Sequence, residues 1–308
     1  MNGQNKSIKI ALIGATGRVG RLLRQAFHHL KPCNITIFFL SRDTATLPRK
    51  VSWAWDILDG PQAFLRATKA VGRFDVVFNF SGITQLCHSG SMDQNLTLAV
   101  NALNAAAQSG VGHFFTASSA AVYGRPANAN PLTETDVCRP LSDYGSAKLV
   151  MEHALLTNSA RAFTGVTCMR IGNVAGADQL LLRGQACSAD LPLVLDRFAN
   201  NLYPLRSYIG PVTLAKTLIQ LAKAAASGAE CPPILNVAAP EPVYMDTLLD
   251  AVPDVARPVN WRSSAAPDTA IPTVVLDTTR LEQLYRFAPS DSTAKEMISQ
   301  WLATRGSA

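Results

Sequence analysis

The stretch IKIALIGATGRVG, residues 8–20, places an apolar run directly before three glycines at spacings of three. The run predicts a buried strand, and the pattern after the glycines predicts a helix. Gly14 permits a tight turn, Gly17 lets the backbone approach a pyrophosphate, and Gly20 lets helix and strand pack closely. The free N–H groups at the helix N-terminus then face the phosphates. We predict a dinucleotide-binding turn, although GxxGxxG is not the commoner GxGxxG, and the alternative is a turn without a ligand.

Short apolar runs alternate with helical patterns over the first 240 residues. The predicted strands are 8–13, 35–40, 51–55, 75–80, 113–118, 166–171 and 234–238, and the predicted helices are 18–30, 61–70, 92–109, 144–158 and 212–226. This alternation predicts an α/β fold with a Rossmann-type doubly wound parallel sheet, covered by helices on both faces.

Two later segments lack this alternation of strands and helices: 176–205 is irregular, and 239–308 is rich in proline. We expect them to form a smaller C-terminal substrate lobe, packed over the sheet edge where ligands bind in open α/β folds. The expected domains are a dinucleotide-binding Rossmann domain, 1–175 with 206–238 returning to it, and a substrate-binding lobe, 176–205 with 239–308.

The composition indicates which partners to expect. A chain of 308 residues with 48% hydrophobic content is long enough for a well-buried core. The net charge is +6, but Lys and Arg are spread thinly without basic runs, so we expect no nucleic-acid partner. Six single cysteines without a CxxC pair predict a reduced, cytoplasmic protein with neither a disulfide framework nor a metal site.

No apolar stretch approaches the roughly 18 to 20 residues needed to span a bilayer, and so we expect no membrane partner. The apolar run before Gly14 is also too short for the core of a signal peptide.

The end of the second predicted strand, FFLSRD, bears on the choice of cofactor. An acid about 20 residues after the glycines binds the ribose of NAD in such folds. Here Ser41 and Arg42 occupy that place, and Asp43 follows one or two positions late. A hydroxyl and a guanidinium suit a 2′-phosphate, and Arg18 in the glycine loop can assist them. We therefore predict NADP, with NAD as the alternative cofactor; Arg42 can also be merely exposed.

The stretch SDYGSAK places Tyr144 and Lys148 four residues apart, on one face of a predicted helix. A phenol with a pKa of about 10 is a poor base at neutral pH, and a neighbouring cation favours its ionised form. A chance surface pair is the alternative. Upstream, FFTASSAAVYG ends a strand at Ser118 and Ser119, where a hydroxyl can hold a substrate oxygen against Tyr144.

Together these motifs resemble the short-chain dehydrogenases/reductases, in particular their extended NAD(P)-dependent epimerase/dehydratase branch, over essentially the whole chain. GATGRVG is similar to the branch's glycine motif, WDILD to its adenine-contacting acidic stretch, and NFSG to its cofactor turn. QNLTLAVNALNAAAQSGVGHFFTASSAAVYG resembles its helix, strand and serine motif. MRIGNVAG, LRSYIG, LNVAAPEPVYMDTLLDAV and DTTRLEQLYRFAP resemble its later landmarks.

The resemblance implies an oxidoreductase that moves a hydride between nicotinamide and a secondary alcohol or ketone carbon. The same resemblance implies that Tyr144 exchanges a proton with the substrate oxygen and that Ser119 hydrogen-bonds that oxygen. Lys148 holds the nicotinamide ribose and lowers the pKa of the phenol, and Asn95 positions Lys148. The implied cofactor-binding residues are Gly14, Thr16, Gly17, Arg18, Val19, Gly20, Ser41, Arg42, Asp56, Ile57, Phe80, Ser81, Gly82, Tyr144, Lys148 and Ile171. The implied substrate-binding residues are Thr84, Ser119, Asn173 and Arg206.

The chain departs from the family pattern at two places that bear on the substrate. RSYIG lacks the acid and the histidine that many members carry there, and the segment between Asn173 and Arg206 is short. Both departures count against a UDP-sugar substrate. The alternatives are a nucleotide-sugar epimerase that regenerates its cofactor and a non-catalytic NADP-sensing protein. The branch pairs two helices across a dimer interface, and the matching helices 92–109 and 144–158 predict a homodimer.

Overall fold

The computed structural model describes residues 7–84, 91–162, 164–253 and 259–305, with side chains of the helix ending at 162 described up to 158. Its helices are α1 (Arg18–Leu30), α2 (Gln62–Val71), α3 (Gln94–Gln108), α4 (Asp143–Ala162), α5 (Gln179–Ala186), α6 (Pro211–Ala226), α7 (Met245–Asp250), α8 (Thr279–Glu282) and α9 (Ala294–Thr304). Its strands are β1 (Ile8–Ile13), β2 (Ile35–Ser41), β3 (Ser52–Ala54), β4 (Val76–Asn79), β5 (His113–Ser119), β6 (Gly165–Ile171), β7 (Asn173–Val174), β8 (Leu193–Arg197), β9 (Leu205–Arg206), β10 (Tyr208–Ile209), β11 (Ile234–Val237), β12 (Val243–Tyr244), β13 (Trp261–Ala265) and β14 (Thr273–Val274).

Seven parallel strands form the central sheet in the order β11, β6, β5, β4, β1, β2, β3. Strand β1 pairs on one side with β2, where Ile10 lies opposite Ile37, and on the other with β4, where Leu12 lies opposite Phe78. The chain order reverses between β1 and β4, and ligands bind at such a switch point in open α/β sheets. The predicted doubly wound parallel sheet is confirmed, and the glycine turn follows β1 at the switch point.

Both faces of the sheet are covered, as alternation along its strands requires. On β4, Val77 packs towards the layer of α2, α3 and α4, which contributes Phe64, Leu103 and Leu155. Its neighbour Phe78 packs towards the other layer, whose members include residues of α1, α6 and α9. The central strands therefore read as continuous apolar runs because both of their faces are buried.

Within the described residues, three small sheets lie outside the central one: β10 with β7, β9 between β12 and β14, and β13 with β8. Their strands are two to five residues long and carry no clear period, which is why the sequence pattern indicated only irregular segments here. Helix α9, which the sequence analysis placed in the substrate lobe, packs against α1 and α6. The division of the chain into two domains stays a prediction. Across the described ranges, no helix combines the length and apolarity that a bilayer crossing requires.

Candidate active site

A cleft of about 540 Å³ opens at the carboxyl ends of β1, β4, β5 and β6. The predicted site residues that line it are Thr16, Gly17, Arg18, Val19, Phe80, Ser81, Gly82, Thr84, Ser119, Tyr144, Lys148, Ile171 and Asn173. A second cavity, of about 840 Å³, lies beside α1 and β2 and is lined by none of the predicted site residues. The fold thus brings five separate motifs of the sequence to one edge of the sheet.

The glycine turn is packed so closely that side chains are excluded at two positions. Gly14 has a φ of +81°, and a Cβ there would lie 2.7 Å from the backbone nitrogen of Ser81. A Cβ on Gly20 would lie 2.2 Å from the carbonyl oxygen of Gly14. Gly17 caps α1 with extended backbone and no side-chain cap bond, and the first turn of α1 contains no acidic residue. The helix N-terminus therefore presents N–H groups and a positive dipole end to the cleft, which fits a pyrophosphate.

The residues predicted to hold the adenosine half lie beyond the cleft, at the ends of β2 and β3. The buried Ser41 places its Oγ 2.6 Å from Oγ1 of Thr16, and Arg42 beside it is exposed. Asp56 caps a 3-10 turn over Ile57–Asp59 by accepting a 3.0 Å bond from the N–H of Leu58. The hydrogen bond between Thr16 and Ser41 thus joins the glycine turn to the end of β2, next to Arg42.

Helix α4 and strand β5 together position the predicted catalytic pair. Tyr144 lies in the first turn of α4 and Lys148 one turn later, with its Nζ 5.9 Å from the centroid of the Tyr144 ring. That ammonium donates a 2.9 Å bond to the carbonyl oxygen of Ala117 on β5. Burial lowers the pKa of Lys148 to about 8, although the charges of Cys168 and Glu152 oppose the shift. The ammonium is therefore held in place yet titrates close to physiological pH.

The pKa of Tyr144 lies above its ordinary value, because burial raises it more than its neighbours lower it. Those neighbours are the hydroxyl of Ser119 and the positive charge of Arg18, both of which favour phenolate. The expectation that Lys148, helped by an oxidised cofactor, lowers the pKa of this phenol stays a prediction. The lysine ammonium lies 5.9 Å from the centroid of the ring and bonds to Ala117, and burial of the phenol opposes its ionisation.

Asn95, expected to position Lys148 through water or its own helix backbone, makes its direct side-chain bonds to the turn that follows β4 and to Met92. Its Oδ1 accepts from the N–H of Ile83 at 3.1 Å, and its Nδ2 donates to the carbonyl oxygens of Ile83 and Met92 at 3.0 Å. A Cβ on Gly82 would lie 2.8 Å from Oδ1 of Asn95 and 3.3 Å from Nζ of Lys148. Asn95 therefore fixes the shape of the cofactor turn, and it meets the lysine across Gly82.

The four predicted substrate-binding residues divide into two groups. Ser119, Thr84 and Asn173 line the cleft, and the guanidinium of Arg18 donates a hydrogen bond to the hydroxyl of Thr84. Arg18 thus reaches towards the Tyr144 side of the cleft, away from the 2′-phosphate position expected for it. Arg206 does not line the cleft.

The Arg206 guanidinium bonds to backbone carbonyls on β9 and just before β14. It donates to the carbonyl oxygens of Leu205, Pro272 and Ile271 at 2.9, 3.0 and 2.6 Å, and burial lowers its pKa. These bonds tie strands β9 and β14 together.

Some residues that line the cleft were not predicted from the sequence. Arg21, one turn into α1, lines the cleft and donates a 2.8 Å bond to the carbonyl oxygen of Thr16. Asp178 also lines it, and burial raises the pKa of this carboxyl to about 6. It caps α5, accepting from the N–H groups of Gly176 and Leu181 at 3.1 Å each. Its position just before a helix was the available signal.

The chain is similar in sequence to known enzymes. The model of the NAD dependent epimerase/dehydratase family matches residues 10–216, a range that includes the glycine turn, Ser119, Tyr144 and Lys148. A dTDP-6-deoxy-L-talose 4-dehydrogenase (NAD(P)(+)) of Kitasatospora kifunensis is 29% identical over 237 residues, which are 74% of this chain and 73% of the relative. A UDP-glucose 4-epimerase of Streptomyces lividans is 30% identical over 182 residues, 56% of this chain and 54% of the relative.

Solved structures share the fold at lower identity. A UDP-glucose 4-epimerase from Brucella ovis in complex with NAD superposes with a TM-score of 0.79 at 16% identity, covering 94% of this chain and 96% of that one. The UDP-Glc/GlcNAc 4-epimerase of Campylobacter jejuni superposes with a TM-score of 0.78 at 18% identity, covering 97% of this chain and 99% of that one.

Proposed function

The chain belongs to the NAD dependent epimerase/dehydratase family, and from this premise we propose that it transfers a hydride between nicotinamide and a secondary alcohol or ketone carbon. Family membership makes it an NAD(P)-dependent enzyme of the short-chain dehydrogenase/reductase type, as its motifs predicted. The observation that carries the proposed reaction is that Ser119, Tyr144 and Lys148 line one cleft together with the glycine turn.

In this proposal the chain's residues bind, orient and move a proton. A bound nicotinamide supplies the hydride chemistry. Tyr144 gives a proton to the carbonyl oxygen during reduction, or takes it from the hydroxyl during oxidation. Ser119 donates a hydrogen bond to the same oxygen and aligns it with the phenol. Lys148, anchored by Ala117, offers its ammonium to the ribose hydroxyls, and the orientation of the reacting groups supplies much of the rate enhancement.

This chemistry can serve a dehydrogenase or an epimerase, and we propose a dehydrogenase, which carries out a net oxidation or reduction, as the first candidate. A dehydrogenase releases changed cofactor, whereas an epimerase regenerates it in each turnover. The relatives include both kinds of enzyme, so both reactions need a test. We expect purified protein, mixed with NADPH or NADH and a panel of ketones, to lose absorbance at 340 nm. Inversion of UDP-glucose without any net change in absorbance would instead favour the epimerase.

We propose NADP as the preferred cofactor, on the strength of Ser41 and the exposed Arg42 at the end of β2. In Arg42→Ala we expect NADPH affinity to fall about tenfold, because a charge-assisted bond to the 2′-phosphate is lost. NADH affinity should be unchanged. Arg49→Ala, another exposed arginine between β2 and β3, is the matched control. An equal loss for both nucleotides, or a preference for NADH in the wild type, would refute the assignment.

The remaining proposals concern the whole protein. We propose a two-lobed enzyme with the domain boundaries expected from the sequence, which acts as a homodimer through α3 and α4. We place it in the cytoplasm, since the described cysteines, Cys33, Cys138, Cys168, Cys187 and Cys231, are all free thiols. Its substrate is a small molecule, and the departures around Arg206 argue against a large nucleotide-sugar cradle.

A further inference from the structure

A buried polar cluster lies directly behind the candidate active site, and the proposed reaction does not use it. The cluster, called here the Glu152 cluster, consists of Ser118, Tyr123, Glu134, Glu152, Arg170 and Asn236. Each of these residues is 9% exposed or less, and Glu152 is 1% exposed. Charged side chains are almost never buried to this degree unless they are paired, so these contacts are specific features of the fold.

Glu152 is the point where this cluster meets the catalytic helix. It follows Lys148 by one turn of α4, and its carboxylate accepts a hydrogen bond from the Ser118 hydroxyl on β5. The carboxylate also accepts hydrogen bonds from the Arg170 guanidinium on β6. Nη2 of Arg170 lies 2.8 Å from Oε2, and Nε lies 3.1 Å from Oε1 and 3.2 Å from Oε2. Ser118 directly precedes Ser119. One carboxylate therefore joins the helix of Tyr144 and Lys148 to the strand of Ser119.

The rest of the cluster holds Arg170 in place. Its guanidinium lies 4.7 Å from the centroid of the Tyr123 ring and donates to the carbonyl oxygen of Glu134 at 3.3 Å. The Tyr123 hydroxyl donates to Oδ1 of Asn236 at 2.7 Å, and the N–H of Asn236 donates to Glu134 at 3.0 Å. Strands β5, β6 and β11 thus share one bonded network with α4.

Such a network adds little to stability that apolar side chains could not supply, because desolvation of both charges offsets their attraction. What it does supply is a single relative placement of the elements it joins. Here those elements carry Ser119, Tyr144 and Lys148, whose mutual geometry decides the rate of the proposed reaction.

We propose that Glu152 is a positioning residue for the catalytic trio: its bonds to Ser118 and Arg170 lock α4 against the end of β5. This inference rests on the proposed function, since it assigns a role in the same site. The groups that face Lys148 are Glu152 and Tyr144 on its own helix, Cys168 on β6 and the Ala117 carbonyl on β5. Arg170 and the Ser118 hydroxyl face Glu152, and Cys138 lies within electrostatic reach of it.

The negative charge of Glu152 affects the pKa of Lys148 in one direction. The Glu152 charge raises the pKa of Lys148 against the burial that lowers it to about 8. Glu152→Gln removes that charge, and so the ammonium should be lost at a lower pH. Nucleotide affinity, which depends on the ammonium in the proposed function, should then decline at a lower pH than in the wild type.

The test begins with nucleotide binding by the wild-type protein, measured by NAD(P)H fluorescence between pH 6 and 9.5. No binding at any pH would refute the proposed function itself. In Glu152→Gln we expect affinity to match the wild type at pH 6 but to decline at lower pH than the wild type does. We expect kcat to fall about 10-fold to 100-fold with KM little changed, since Glu152 touches no substrate. An unchanged pH midpoint together with an unchanged kcat would overturn the inference.

Two further variants separate positioning from folding. Asp291→Asn is the matched control, because Asp291 is a buried carboxylate that accepts a 2.8 Å bond from Thr213 outside the cleft. It should keep the wild-type pH profile. The double variant Glu152→Met with Arg170→Met replaces the ion pair with apolar side chains, so we expect it to keep its Tm but not its kcat. Wild-type kcat in that variant would show that the pair only fills the core.

Discussion

At the residue scale, burial decides the protonation states of the proposed catalytic groups. It raises the pKa of Tyr144 and lowers the pKa of Lys148 to about 8, so at neutral pH the pair is a phenol beside an ammonium. A phenol that already carries its proton suits the reductive direction, in which the substrate oxygen takes that proton. The charge of Arg18 and the hydroxyl of Ser119 lower the pKa of the phenol, but by less than burial raises it.

Tyr144→Phe removes the proposed proton donor and keeps the ring. We expect kcat to fall about 10²-fold to 10⁴-fold, because general acid–base catalysis typically contributes that much. NADPH affinity should be unchanged, since the ring and the Lys148 ammonium remain. Steady-state kinetics and fluorescence titration check the two expectations. Tyr203→Phe is a control tyrosine that does not line the cleft. Equal turnover by Tyr144→Phe and wild type would rule out this phenol as donor.

The titration of Lys148 predicts opposite pH trends for stability and for binding. Its pKa in the folded protein, about 8, lies below the ordinary 10.5, so between these values the unfolded chain binds more protons. The contribution of Lys148 to the free energy of unfolding therefore rises with pH across that window. Nucleotide affinity should decline over the same window, because the ammonium is lost.

Chemical denaturation of the wild type and Lys148→Met at pH 7 to 10.5 isolates this effect. The methionine variant cannot titrate at this position, so its stability should gain less with pH than that of the wild type. Parallel stability curves for the two proteins would contradict the assigned pKa.

At the element scale, the junction of β1 with α1 depends on the absence of a side chain at Gly20. A methyl group there would lie 2.2 Å from the Gly14 carbonyl oxygen and 2.8 Å from Cα of Ala15. In Gly20→Ala the helix must shift from the turn, which we expect to cost about 1–3 kcal/mol in the free energy of unfolding. Nucleotide affinity should fall as well, because α1 presents its N-terminus to the phosphates.

Urea denaturation and nucleotide titration measure both effects of Gly20→Ala. Gly112→Ala is the control, since its methyl group would meet only the Asp75 carbonyl oxygen, at 3.3 Å. If Gly20→Ala binds nucleotide as tightly as Gly112→Ala does, the close packing of turn and helix is not needed for binding.

The sequence pattern predicted the seven strands of the main sheet to within two residues at each end, for example 113–118 against His113–Ser119. This success has a simple cause: strands buried on both faces are continuous apolar runs bounded by polar turns. The short strands β7, β9, β10, β12 and β14 were not predicted, because a two-residue ladder depends on the partner strand and not on a local pattern.

At the scale of the whole molecule, α4 presents an exposed face that suits the proposed dimer. Ser146, Val150, His153 and Thr157 lie on it at helical spacing, and Val150 is 53% exposed. We expect Val150→Glu to convert dimer into monomer, because a desolvated charge at a symmetric interface meets its own copy. Light scattering measures the mass. Val194→Glu changes an equally apolar residue, 46% exposed, on β8 outside this face. A monomeric wild type, or a Val150→Glu dimer, would refute the assignment.

The sequence by itself determined the strands of the central sheet, the helices between them, the glycine turn and the family, because these depend on neighbouring residues and their periodicity. It also placed Tyr144, Lys148 and Ser119 in motifs that the fold brings to one cleft. Only the tertiary structure decided what surrounds them. Arg206 bonds to Ile271 and Pro272, far along the chain, and Glu152 pairs with Arg170 across a helix and a strand. Such partners and the protonation states they set depend on burial and distance, which spacing in the sequence does not contain.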